Sequence, residues 1–160
     1  MTKAALTLVA LLAIAAPANA RDSLGVYSNW AAFRDDAPSR CYAIAKPRGN
    51  NSAGSFASVA TWPDQGLRGQ LHLRLSRAVG EEAEVTLTIG EEEFALVAKD
   101  RNAWAVDERM DASIVAAMRS ASRMSVAARG ANGARFSDRY SLAGVATAMD
   151  AATVGCANRG

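Results

Sequence analysis

The chain is poor in the residue types that carry most protein chemistry. Its 160 residues include one histidine, two cysteines and 6% aromatic residues. A zinc site needs three or four converging N, S or O donors, and one histidine beside two cysteines falls short of that supply. Two cysteines also exclude a disulfide-dense mini-protein. No G-x-S-x-G elbow, phosphate-cradling glycine loop or D-x-D-x-D-G calcium loop occurs. Neither sign of charge dominates, with 18 Lys and Arg against 16 Asp and Glu. The two signs are interleaved, so the basic stripe of a nucleic-acid protein is missing. No stretch approaches the roughly 20 apolar residues that a membrane-crossing helix needs.

The first twenty residues have the grammar of a cleavable export leader. Lys3 supplies the positive start, and Ala4 to Ala16 form an apolar run of roughly 13 residues, too short to span a bilayer. Pro17 breaks the run, and Ala18-Asn19-Ala20 is a small-x-small cleavage site. Residues 1–20 are therefore expected to be removed, leaving a single domain over 21–160 in the periplasm or outside the cell. Loss of Lys3 takes the basic residues from 18 to 17, against 16 acidic ones. An oxidising compartment favours pairing Cys41 with Cys156, a bridge that closes a loop of about 116 residues.

Most of the remaining chain alternates with period two, the mark of half-buried strands. Leu71, Leu73 and Leu75 face one way, while Gln70, His72 and Arg74 face the other. Val85, Leu87 and Ile89 alternate with threonines, and Gly90-Glu91 suits a two-residue hairpin before Phe94 and Leu96. Further strands are expected over Val26–Phe33, Arg40–Lys46, Phe56–Trp62, Ala103–Val106, Met124–Arg129 and Arg135–Tyr140. The turn-rich segment Pro47–Ser55 reads as a loop. Helical spacing replaces alternation twice. Asp111 is expected to cap a helix with Ile114, Ala117, Met118 and Ala121 on one face. Ser141 is expected to cap another, with Leu142, Val145, Ala146 and Met149 on one face. The fold class is mainly β: an antiparallel β-sandwich or partly closed barrel with two short helices in the C-terminal half.

Candidate chemistry is sparse. His72 is the only possible imidazole base, and its neighbours on the strand face, Gln70 and Arg74, suit a solvated surface. The acidic groups Glu81, Glu82, Glu84 and Glu91 to Glu93 flank the expected hairpin and read as solvated strand ends. Trp30, Trp62 and Trp104 suit either core packing or an interface. Arg135, Ser137 and Arg139 share one polar strand face. The candidate interaction surface is Trp62, His72, Arg74, Arg135 and Arg139; no catalytic residue, metal ligand or cofactor is assigned.

Several segments resemble the invasion-associated locus B family. These are the leader, the early Trp30 and Cys41, the helical stretch Ile114 to Arg119, the strand at Met124-Ser125-Val126, and Phe136 to Ala148 (FSDRYSLAGVATA). The resemblance is loose over most of the chain and best over residues 112–150. It implies an exported alphaproteobacterial protein with an all-β core, in a family whose pathogenic members are linked to host-cell entry. No family catalytic residues are known to carry over. The reading is an exported, non-enzymatic envelope protein that acts on an envelope or cell-surface partner, as a monomer or weak oligomer without nucleic acid. The rival is a small periplasmic hydrolase using His72 or a carboxylate pair. It requires a Ser, Thr or acidic side chain within hydrogen-bond reach of His72.

Overall fold

A computed structural model describes residues 21–49 and 54–157. The leader call on residues 1–20, and residues 50–53 of the expected Pro47–Ser55 loop, lie outside the described residues. The strands are β1 (Arg21–Tyr27), β2 (Trp30–Asp35), β3 (Arg40–Ala45), β4 (Phe56–Trp62), β5 (Leu67–Arg74), β6 (Val85–Ile89), β7 (Glu92–Lys99), β8 (Asn102–Trp104), β9 (Arg123–Arg129) and β10 (Arg135–Ser141). Helix α1 (Glu108–Ser120) precedes β9, and α2 (Val145–Ala157) follows β10. All ten strands join one antiparallel sheet in the order β1-β2-β3-β4-β5-β8-β7-β6-β9-β10, and the sheet is not closed. The expected mainly β architecture with two helices in the C-terminal half is what the chain adopts.

Strand β7 joins the two parts of the sheet. Its residues up to Leu96 pair with β6, and Val97 to Lys99 pair with β8. The far edge then returns towards the first strands. The Ser76 amide donates to the buried Asp138 carboxylate at 2.8 Å, and the Arg48 amide donates to the Arg139 carbonyl at 2.7 Å. An isolated bridge pairs Val79 with Gly130.

The inner face of the sheet forms the core. Leu71, Leu73 and Leu75 are fully buried, as alternation predicts, and so are Leu87, Ile114, Met118 and Val126. Helix α2 packs on β1, β2 and β3, while α1 packs on β5 and touches α2. The Cys41–Cys156 disulfide ties β3 to the last turn of α2 across 115 residues of sequence. An exposed Arg119–Asp150 ion pair of 2.7 Å links the helices. Among the described residues, no helix is long and apolar enough to cross a membrane.

Three local expectations are corrected. The expected strand Val26–Phe33 is split by a turn at Ser28-Asn29, with Ser28 at φ 53° and Tyr27 paired to Trp30. Tertiary bonds hold this turn where no glycine or proline marks it. Asn29 N–H donates to the Ala143 carbonyl, and the buried Trp30 indole donates to the Ser141 carbonyl at 2.9 Å. Asp111 is not a cap. Asp107 caps α1 by accepting from the Met110 amide, and Asp111 lies buried on the helix, accepting from the Leu71 amide at 2.8 Å. Ser141 ends β10 and accepts from the Ala143 amide, so α2 begins only at Val145. Gly144 makes that junction at φ 87°, and a Cβ there would lie 1.9 Å from the Tyr27 carbonyl oxygen.

Candidate interaction surface

The outer face of the same strands carries a continuous cross-strand row. Residue pairing runs Val26 to Ala31, Ala31 to Ile44, Ile44 to Ser58, Ser58 to His72, His72 to Trp104, and Trp104 to Val97. Seven strands contribute one residue each, which at about 4.8 Å per step makes a row about 29 Å long. Its two ends are apolar and exposed, Val26 at 73% and Val97 at 49%. Small side chains such as Ala31 and Ser58 lie low between larger neighbours.

His72 sits in the middle of this row. Its ring stacks on Trp104 with centroids 5.6 Å apart, and it meets the edge-on Phe56 at 5.3 Å. Its Nε2 lies 3.0 Å from Asn102 Oδ1, and the nearby Ser58 hydroxyl donates to the His72 main-chain carbonyl, not to its ring. The expected solvated histidine is therefore half-buried and held between two aromatic rings. The hydrogen-bond partner of its ring is an amide oxygen, neither a carboxylate nor a nucleophile.

A second, more polar row runs alongside. Phe33 pairs with Tyr42, and Tyr42 with Ala60 opposite Gln70. The Arg40 guanidinium lies over both Tyr42 (4.7 Å) and Trp62 (5.3 Å), while Arg21 lies over Phe33 and Tyr42. Asp35 bonds both arginines, and the Trp62 indole donates to Gln70 at 3.0 Å. Beside Asp22, Arg34 forms a further ion pair. Burial first, then the Asp35 charge, push the Tyr42 hydroxyl above the usual phenol range, with both arginines opposing.

The structure thus brings Trp62, His72 and Arg74 onto one face. Arg135 and Arg139 lie exposed on β10, at the opposite edge of the sheet from β1, and no described interaction joins them to the row. Trp30 is a core residue at 1% exposure, whereas Trp62 and Trp104 are half-buried on the outer face. Sequence reading missed Tyr42, Phe56 and Ile44 as members of that face. Their period-two positions were legible, but which strands lie side by side was not.

Elsewhere, a cleft of about 540 Å³ opens between the helices and the β4–β5 end, lined by Val59, Leu67, Arg68, Val115 and Met149. Among the described residues, no group of three or more His, Cys, Asp or Glu side chains is placed to hold a metal ion. Among the described residues, Asp111 and Asp138 are the buried carboxylates, each bonded to a main-chain amide of the β5 region. Burial, followed by Asp138, raises the Tyr140 hydroxyl well above the phenol range.

Residues 32–153 match the model of the Invasion associated locus B (IalB) protein family. The chain belongs to the invasion-associated locus B family. The matched span covers most of the sequence and includes Tyr42, Trp62, His72, Trp104 and the Ser141–Gly144 junction. No match emerged among curated proteins or among solved structures. In this family member, the Ser141-Leu142-Ala143-Gly144 segment has a direct physical role. It carries the chain from the edge strand into α2 through a positive φ, with Gly144 pressed against the β1 main chain.

Proposed function

We propose that this invasion-associated locus B family member is an exported envelope protein that acts by binding a protein or cell-surface component and has no catalytic role. In this reading residues 1–20 are a cleaved leader, residues 21–160 are one domain, and the compartment is the periplasm or the exterior. The observation that carries it is the outer face: a row across seven strands ending in exposed Val26 and Val97. Exposed apolar ends and half-buried aromatic rings gathered on one sheet face suit a surface that meets a partner. The family match, the Cys41–Cys156 bridge and the lack of a membrane-length helix among the described residues support export. A hydrolase based on His72 needs a proton donor or nucleophile at its ring. The ring instead has aromatic faces and an Asn102 amide oxygen around it.

In-cell crosslinking, followed by purification of the tagged protein and mass spectrometry, tests the reading, with fractionation of the same cells. One specific partner in the envelope fraction is the expected result. A leader-bearing protein recovered from the cytosol overturns export. Recovery of the protein with no crosslinked partner overturns the binding role.

A further inference from the structure

The row on the outer face has a charged border on one side. One register position along, Phe56 pairs with Arg74, Arg74 with Asn102, and Asn102 with Lys99. Lys46 follows β3 and lines the same depression as Phe56. Lys46 and Lys99 are exposed and Arg74 is half-buried. Among the described residues, none of these three side chains has an ion pair or hydrogen bond. The opposite border differs: Phe33, Tyr42 and Gln70 are uncharged, and Arg21 and Arg40 there are already committed to Asp35. One side of the row therefore carries unpaired cations, whereas on the other Arg21 and Arg40 are held by the Asp35 carboxylate.

The row is also concave at its β1 end. A depression of about 580 Å³ is lined by Val26, Ala31, Phe33, Ile44 and Phe56. A membrane-binding face buries protruding apolar side chains at the headgroup boundary, whereas here apolar side chains line a hollow.

We infer that this outer face is a docking groove for an acidic, apolar segment of a partner polypeptide, anchored by apolar side chains in the Phe33–Ile44–Phe56 depression and by carboxylates on Lys46, Arg74 and Lys99. The inference rests on the binding role proposed above and names the face and the chemistry of the partner. An extended segment of about nine residues spans the row's length of about 29 Å. Apolar contacts supply most of the affinity, and the cationic border sets orientation and partner choice.

The test is selection of a displayed library of random 12-residue peptides against the purified full protein. The expected winners combine Leu, Ile, Val or Phe with an excess of Asp and Glu. Charge reversal by K46E/R74E/K99E is expected to turn the selected excess to Lys and Arg. The exposed double variant K46E/K99E removes the acidic excess even if the half-buried Arg74 does not tolerate change. V97D is expected to weaken a winning peptide at least tenfold with an unchanged melting temperature. Winners without charge bias, winners unaffected by charge reversal, or no enrichment overturn the inference. Binding to phosphatidylglycerol vesicles in place of peptides overturns it in favour of a membrane face. A crosslinked partner mapped to β10 or the helices leaves the binding role standing and removes this groove, whereas absence of any partner removes both.

Discussion

The two faces of β3, β4 and β5 come from the same residues in strict alternation, yet they are built to different rules. Inward, Cys41, Ala43, Ala57, Leu71 and Leu73 are fully buried. They are small or aliphatic because α2 and α1 pack directly onto them. Outward, Tyr42 is buried beneath Arg21 and Arg40 while Phe56, Trp62 and His72 are half-buried, and their rings are arranged against each other, guanidinium groups and amides. Helix packing selects volume, whereas an uncovered sheet face with aromatic rings selects contact between neighbouring strands. The difference teaches that a polar-looking alternate position need not be a solvated one: His72 has a ring on both sides.

The comparison breaks most visibly at the inner face. Reducing Cys41–Cys156 frees α2 from β3 and is expected to cost roughly 4 to 5 kcal/mol on loop-entropy grounds. Thermal melting with and without reductant reads the loss, and an unchanged midpoint would mean that α2 docks without the tie. Next comes Leu73→Ala, which empties a fully buried site. A loss of about 3 kcal/mol in urea unfolding is expected. Gly144→Ala should lose a similar amount, about 3 kcal/mol, because its Cβ collides with the Tyr27 carbonyl at a positive φ.

The outer face is expected to yield less. His72→Ala, directly adjacent to Leu73 in sequence, removes a stacked ring and one side-chain bond and should cost about 1 kcal/mol. If His72→Ala equals Leu73→Ala in cost, the two faces are not energetically distinct.

The smallest effect is one of pH. Burial, then Asp107 and Glu108, hold the Asp111 carboxyl above the usual carboxylate range, although the Leu71 amide opposes them. The folded state therefore favours the protonated form. Its contribution to stability is full below the ordinary carboxylate range and is lost as pH rises through the raised value. Asp111→Asn keeps an oxygen for the Leu71 amide. It should match the parent protein in acid and be the more stable of the two at pH 7, as urea unfolding at both pH values will show.

Periodicity made much of the fold legible. The strand Phe56–Trp62 and the hairpin turning at Gly90-Glu91 were readable to the residue, since alternation and turn chemistry are local. The Ser28-Asn29 turn was not, because its cause is a pair of hydrogen bonds to residues over a hundred positions away. Asp111 misled for a related reason. A carboxylate near a helix start reads as a cap, and only the docked β5 amide shows it serving another element. Of the candidate surface, Trp62, His72 and Arg74 are legible in the sequence as isolated polar or aromatic positions. Their company with Tyr42, Phe56 and Trp104 needed strand order.

By itself the sequence determined the β class, the buried leucines of β5, the two helical segments and the cysteines available to pair. Each depends on spacing along the chain or on residue type, and both survive without knowledge of neighbours. Only the tertiary structure decided which strands adjoin, and so placed Val26 and Val97 at the two ends of one row. It also decided which charges stay unpaired: Arg21 and Arg40 meet Asp35 across strands, while Lys46, Arg74 and Lys99 meet no carboxylate among the described residues. Pairing across a sheet is set by register between segments far apart in sequence, and no local pattern encodes that register alone.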